Sequence, residues 1–186
     1  MAASFARIAT QIRRLARARD GATAVEFALI ATPFFLLLMG ILELGLVFLV
    51  STTLEHATQE ASRQIRTGEF QEGGGVSSAD FEELVCEGLA WIGNTCAAQL
   101  DVDVRAYASL PAMLNPPAYD PDEACFEAGG PGQVVLVRTS IRWKIFTPLL
   151  RPSMATAADG ARLIQSSTAF KNEPYPGDQP ADVCAT

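Results

Sequence analysis

Two glutamates and four cysteines carry most of the chemistry open to this 186-residue sequence. From Phe27 to Val50 every side chain but one is non-ionisable, the exception being Glu43, and Glu26 stands immediately before that stretch. A carboxylate in apolar surroundings must meet a cation, take up a proton or reach water. The cysteines, Cys86, Cys96, Cys125 and Cys184, are even in number, form no C-x-x-C pair and have one histidine, His56, far away in sequence. That spacing does not suit a metal and suits disulfides in an oxidising compartment. Of the three possible connectivities we favour Cys86 with Cys96, which flank a predicted helix end, and Cys125 with Cys184, which would pin a loose tail. In the chain-entropy account the shorter loop contributes about 2.8 kcal/mol and the longer about 4.3 kcal/mol, before strain is deducted.

Other chemistry is absent at the level of pattern. The sequence has no G-x-S-x-G elbow, no phosphate-binding G-x-x-x-x-G-K-[ST] loop and no H-E-x-x-H pair. His56, without a nearby nucleophile, reads as a solvated or interface residue. The acids Glu82 and Glu83, and Asp120, Asp122 and Glu123, lack the EF-hand arrangement and read as solvated faces. The expectation is a protein that is not an enzyme and that holds no metal or cofactor.

The elements that must position these residues start with the apolar stretch. As a helix, the 24 residues from Phe27 to Val50 extend roughly 36 Å, against a hydrocarbon core of about 30 Å. A cleaved secretory signal has a shorter apolar core ending at a small-residue site, which does not follow Val50; a retained single-pass transmembrane helix in contact with membrane lipid is the expectation. Pro33 should bend it, and Gly40 and Gly45, five apart, form no G-x-x-x-G face. Residues 1 to 20 carry Arg7, Arg13, Arg14, Arg17 and Arg19 against Asp20, net +4, whereas residues 51 to 186 hold nine cations and eighteen acids, net −9. This asymmetry predicts a cytoplasmic N-terminus and an exported C-terminal part, and the acidic balance argues against nucleic acid as a partner.

Beyond the membrane, STTLEHATQEASRQIRT sets Leu54, Ala57, Ala61 and Ile65 three or four apart, so the helix should continue in amphipathic form until Gly68 and Gly73 to Gly75 break it. SSADFEELVCEGLAWIG predicts a shorter helix with Ser78 as N-cap, Gly93 as stop, and Phe81, Leu84, Val85 and Leu89 on its buried side. The period then changes to two. LDVDVRAY alternates Leu100, Val102, Val104 and Ala106 against Asp101, Asp103 and Arg105, a half-buried strand; QVVLVRTSIRWKIF is long enough for one bent strand or two, and RLIQSSTAFKN is a further strand. The Pro- and Gly-rich segment from Ser109 to Gly132 should be an irregular loop. The fold class expected is α+β, with a long N-terminal helix, a short helix and a small antiparallel sheet. The organisation expected is a basic leader over 1–21, a transmembrane helix over 22–50, a juxtamembrane helix over 51–72 and a periplasmic domain over 73–186.

Gly21-Ala22-Thr23-Ala24-Val25-Glu26-Phe27 follows the basic leader, with a glutamate five positions after the glycine and an aromatic residue next. This resembles the processing site of prepilins in the G-x-x-x-x-E-[YF] form of the tight-adherence (Flp) pilus. The anchor GATAVEFALIATPFFLLLMGILELG, the segments QEASRQIRTGEF and FEELVCEGLAWIGNTCAAQLDVDVRAY, and SSTAFKNEPYP are together similar to the TadE-like family of pilus assembly proteins, over residues 18 to 176. Nothing in the loop from Ser109 to Gly132 matches that pattern.

The resemblance implies that a prepilin peptidase cuts between Gly21 and Ala22, and that Glu26 then meets the new N-terminal amine of a neighbouring subunit as helices stack. At ~4 Å two such charges attract by about 4 kcal/mol at an effective dielectric of ~20, before desolvation is deducted. Glu26 reaching headgroup water is the alternative. Glu43, 16 residues beyond Phe27 and so roughly 24 Å from it along the helix, would either snorkel to the interface or bond, in neutral form, to another helix and so serve assembly. The functional expectation is a minor pilin or pseudopilin in the bacterial inner membrane, with other pilin subunits and the pilus assembly platform as partners. The alternative is a signal-anchored periplasmic binding domain unrelated to pili.

Overall fold

The computed structural model describes residues 21–75, 77–120, 123–176 and 184. The basic leader up to Asp20 and the acid Asp122 thus lie outside the described residues. The chain divides into two compact units, Met1–Glu43 and Leu44–Thr186, and helix α1, Ala22–Thr67, supplies residues to both.

In the first unit the described residues form the opening part of α1. Leucine, isoleucine, alanine and phenylalanine point all round the helix, and Phe27, Ile30, Phe34, Leu37 and Ile41 are exposed. A helix leaves no backbone donor or acceptor of its interior unpaired, which suits it to hydrocarbon. Thr32 keeps to this rule by donating its hydroxyl to the Ala28 carbonyl at 2.7 Å. Pro33 lies inside the helix. By length and composition α1 can cross a membrane.

In the second unit the same helix changes character. Val50, Leu54, Ala57, Ala61 and Ile65 form a buried stripe at helical spacing, while Glu55, His56, Gln59 and Glu60 stay exposed. Helix α2, Ser78–Gly88, packs Phe81 and Val85 into the same core. At Gly88 the two helices approach closely, since a Cβ there would sit 2.7 Å from the Ala57 Cβ. Helix α1 ends because Gly68 adopts a left-handed φ of 84°, open mainly to glycine, with the Tyr175 ring against it.

The limits of α2 differ from the sequence expectation at both ends. Its N-cap is Ser77, not Ser78: the Ser77 hydroxyl accepts from the Asp80 N–H while an Asp80 carboxylate oxygen accepts from the Ser77 N–H at 3.0 Å. This reciprocal pair satisfies two otherwise orphaned donors. The helix stops at Gly88, and a 3₁₀ segment, Ala90–Thr95, follows it. The Cys86–Cys96 disulfide holds the two Cα atoms 5.8 Å apart, whereas an α-helix prolonged to Gly93 would have carried the chain about 10 Å away.

Strands β1, Leu100–Tyr107, β2, Val134–Lys144, and β3, Ala161–Lys171, form an antiparallel sheet in that order. The segment that could have been two strands is one. Register places Leu100 opposite Ile141 and Ile141 opposite Ile164, and Val104 opposite Val137, so one face of the sheet is apolar and closes the core with both helices. Thr58 on α1 and Thr139 on β2 share a buried hydrogen bond of 2.7 Å inside that core. Phe70, Phe81 and Phe126 cluster at one end, with ring centroids 5.8–6.2 Å apart.

On the opposite face the sequence expectation needs correction. Asp103 belongs to the polar side of β1 but is only 1% exposed. The irregular segment after Ser109, which holds a helical turn at Leu110–Met113, crosses that face and covers it. Asp103 accepts from Arg105 at 3.0 Å and from Arg138 Nε at 2.8 Å, and also from the Cys125 N–H. The two arginines in turn donate to the Glu123 and Pro117 carbonyls. Tyr119 stacks on Arg138 and shares a 2.7 Å hydrogen bond with Ser140; burial, ahead of its charged neighbours, pushes its phenol pKa upward. Phe126 bridges to Val104 alongside β1, and Cys125 is bonded to Cys184. The loop without periodicity is held by charge, backbone and a covalent bond.

Candidate functional site

The start of α1 is the region that could be processed. Gly21 is exposed, the helix begins at Ala22, and, chain neighbours aside, no atom of the described residues lies within 4 Å of the position a Cβ on Gly21 would take. Among the described residues nothing crowds the Gly21–Ala22 bond on the side where a side chain would stand. Glu26 follows Ala22 by four residues, one turn and about 6 Å along the axis. Its first turn carries no acidic residue, so Glu26 is the carboxylate nearest in sequence to an amine created at Ala22. Both Glu26 and Phe27 are exposed, Phe27 to 70%, and so are presented to whatever surrounds the helix.

Glu43 is placed differently. It is 3% exposed and falls seven residues before Val50, on the line that becomes the buried stripe of α1. The two acids are 17 positions apart, about 25 Å along the helix. Whatever each does, they do not form one site.

All four cysteines are in disulfides, Cys86–Cys96 and Cys125–Cys184, the two pairs favoured from their positions in the sequence. Their role is cross-linking. Among the described residues no three His, Cys, Asp or Glu side chains gather as a metal site would require, and His56 is an exposed residue of α1. Two features escaped the sequence reading. One is the Asp103–Arg105–Arg138 cluster, whose only signal was a charged run on alternate positions of β1. The other is an aromatic group, Trp91, Trp143 and Phe146, with successive centroids 6.5 and 5.9 Å apart, signalled by the W-K-I-F run that closes QVVLVRTSIRWKIF.

Comparison with known families bears directly on the helix start. Residues 21–63 match the family model described as TadE-like protein. The match opens on Gly21, contains Glu26, Phe27 and Glu43, and ends at Arg63 within α1. It bears out the family resemblance for the TadE-like stretch; the sheet and the loop over it lie outside the matched residues. No curated protein and no solved structure matches the chain.

Proposed function

We propose that the chain is a minor pilin or pseudopilin of a Flp-type tight-adherence pilus. On this reading a prepilin peptidase hydrolyses the Gly21–Ala22 bond, residues 22–50 hold the product in the inner membrane, and the α+β domain occupies the periplasm. The observation that carries it is the TadE-like match opening on Gly21, at a glycine with open approach just before the first helical turn. The net +4 of residues 1–20 and the net −9 of residues 51–186 support the orientation, and the disulfides suit an oxidising compartment.

Cleavage would leave a charged amine on Ala22 at a helix N-terminus, where the macrodipole is positive and disfavours it. A carboxylate from a neighbouring subunit relieves this, and exposed Glu26 is available to provide it. The chain itself is a structural subunit with no catalytic role; its partners are the peptidase, other pilin subunits and the assembly platform. N-terminal sequencing of the protein recovered from membranes containing an active prepilin peptidase should begin at Ala22, and Gly21→Phe should leave the uncut precursor. A wild-type N-terminus at Met1 or Ala2 would reject the pilin reading and leave a signal-anchored domain.

A further inference from the structure

The second unit carries an apolar, cationic patch at the end where α1 enters it. Hydrogen bonds fix which end this is. Thr58 meets Thr139, and the Arg66 carbonyl accepts from the Glu173 N–H just beyond β3, whose Lys171 pairs with Val134. Strand β2 therefore runs antiparallel to α1. From Thr139 to Lys144 it advances roughly 16 Å, the rise of about eleven helical residues, which brings Lys144 level with Val47. Beyond Lys144 come Phe146, 63% exposed, and Leu149, 67% exposed, and Trp91 is 46% exposed beside Trp143.

Charge is segregated to the same place. Residues 141–163 hold Arg142, Lys144, Arg151 and Arg162 against one acid, Asp159, while the rest of residues 51–186 holds five cations and seventeen acids. Arg142 is drawn to Asp101 at 3.5 Å, Arg162 leans on the Met154 carbonyl and Arg151 donates Nε–H to the Ile145 carbonyl at 3.2 Å, while Lys144 and Arg151 both remain exposed. Exposed aromatic and aliphatic side chains rimmed by cations, on an otherwise acidic unit, are the composition that settles into lipid headgroups: rings take the apolar–polar boundary and cations meet phosphates.

We propose that Trp91, Trp143, Phe146 and Leu149, with Lys144 and Arg151, rest on the headgroup layer of the membrane that α1 crosses. The inference depends on that crossing, which is part of the proposed function, and adds a second, peripheral contact by the folded unit. Its occupant is a lipid surface because the patch lies at the point where the chain leaves its membrane-spanning stretch and because its charge is opposite to that of phospholipid phosphate.

The chain offers its own probe, since its only two tryptophans, Trp91 and Trp143, lie in the patch. The full chain is reconstituted in vesicles of phosphatidylethanolamine and phosphatidylglycerol, and flotation first shows whether it is anchored. A nitroxide on the lipid headgroup should then remove about half of the tryptophan emission, aqueous iodide should quench little, and Phe146→Ser with Leu149→Ser should reverse that balance while flotation persists. Trp143→Phe, a mild change, isolates Trp91 for the same reading. Floating protein whose emission is quenched by iodide and untouched by headgroup nitroxide overturns the peripheral contact and assigns the patch to a protein partner instead. Failure to float overturns the anchoring reading, and this inference with it.

Discussion

The first described residues of α1 and its last ones use the same secondary structure for opposite ends. Up to Ile41 apolar side chains face every direction and most are exposed; from Val50 they narrow to one stripe, with Ala57 and Ala61 in it and exposed polar residues elsewhere. A helix apolar all round needs an apolar solvent, whereas a striped helix needs only one apolar partner. The acids follow the same division. Glu26 is exposed and committed to nothing within the described chain, while Asp103 is buried and answered by two arginines and a backbone N–H. Glu26 is open to a partner, whereas Asp103 is spent on the fold.

The largest test of that division concerns the loop over the sheet. Cys184→Ser opens the longer cross-link and should cost about 4 kcal/mol in urea unfolding of the second unit, with membrane association of the whole chain unchanged. Loss of membrane association would show that the two functions are not separable in this way. Asp103→Asn should be nearly as severe, about 3 kcal/mol, because it leaves Arg138 and Arg105 without their counter-charge in a largely dry site. Limited proteolysis should then cut first between Ser109 and Gly132; an unchanged digestion pattern would mean that the ion cluster does not hold the loop.

The smallest effect on stability is expected at Glu26. Glu26→Gln should alter unfolding by less than about 0.5 kcal/mol, as for exposed sites without partners, and should still permit cutting at Gly21, yet reduce recovery of assembled fibres. A stability loss as large as that of Asp103→Asn would erase the contrast between the two acids.

Elements governed by local periodicity were legible in the sequence. The unbroken apolar stretch gave the first part of α1, spacing of three and four gave its stripe, and alternation in LDVDVRAY gave β1 to the residue. Gly68 ended α1 as its type suggests. What escaped depended on distant partners. Asp103 looked solvated because its counter-charge, Arg138, is 35 residues away and the cover above it is a Pro- and Gly-rich segment without a period. The stop of α2 escaped because the chain leaves the helix at Gly88 for a 3₁₀ segment, and Gly93, the later glycine taken as the stop, lies inside that segment. At the candidate site Gly21, Glu26 and Phe27 were legible as a linear motif, since all three lie within seven contiguous residues. The burial of Glu43 was not, because apolar neighbours in sequence do not reveal what covers a side chain.

The Cys125–Cys184 bond encloses all of β2 and β3. On the proposed topology this gives export a direction. Reduced, the segment can thread a narrow channel as a single extended strand; once oxidised on the far side, it is a closed ring that must pass as at least a double thickness. The bond then acts as a pawl. On that topology each molecule that has oxidised would be barred from slipping back, so export would be gated by thiol oxidation as well as by the free energy of folding.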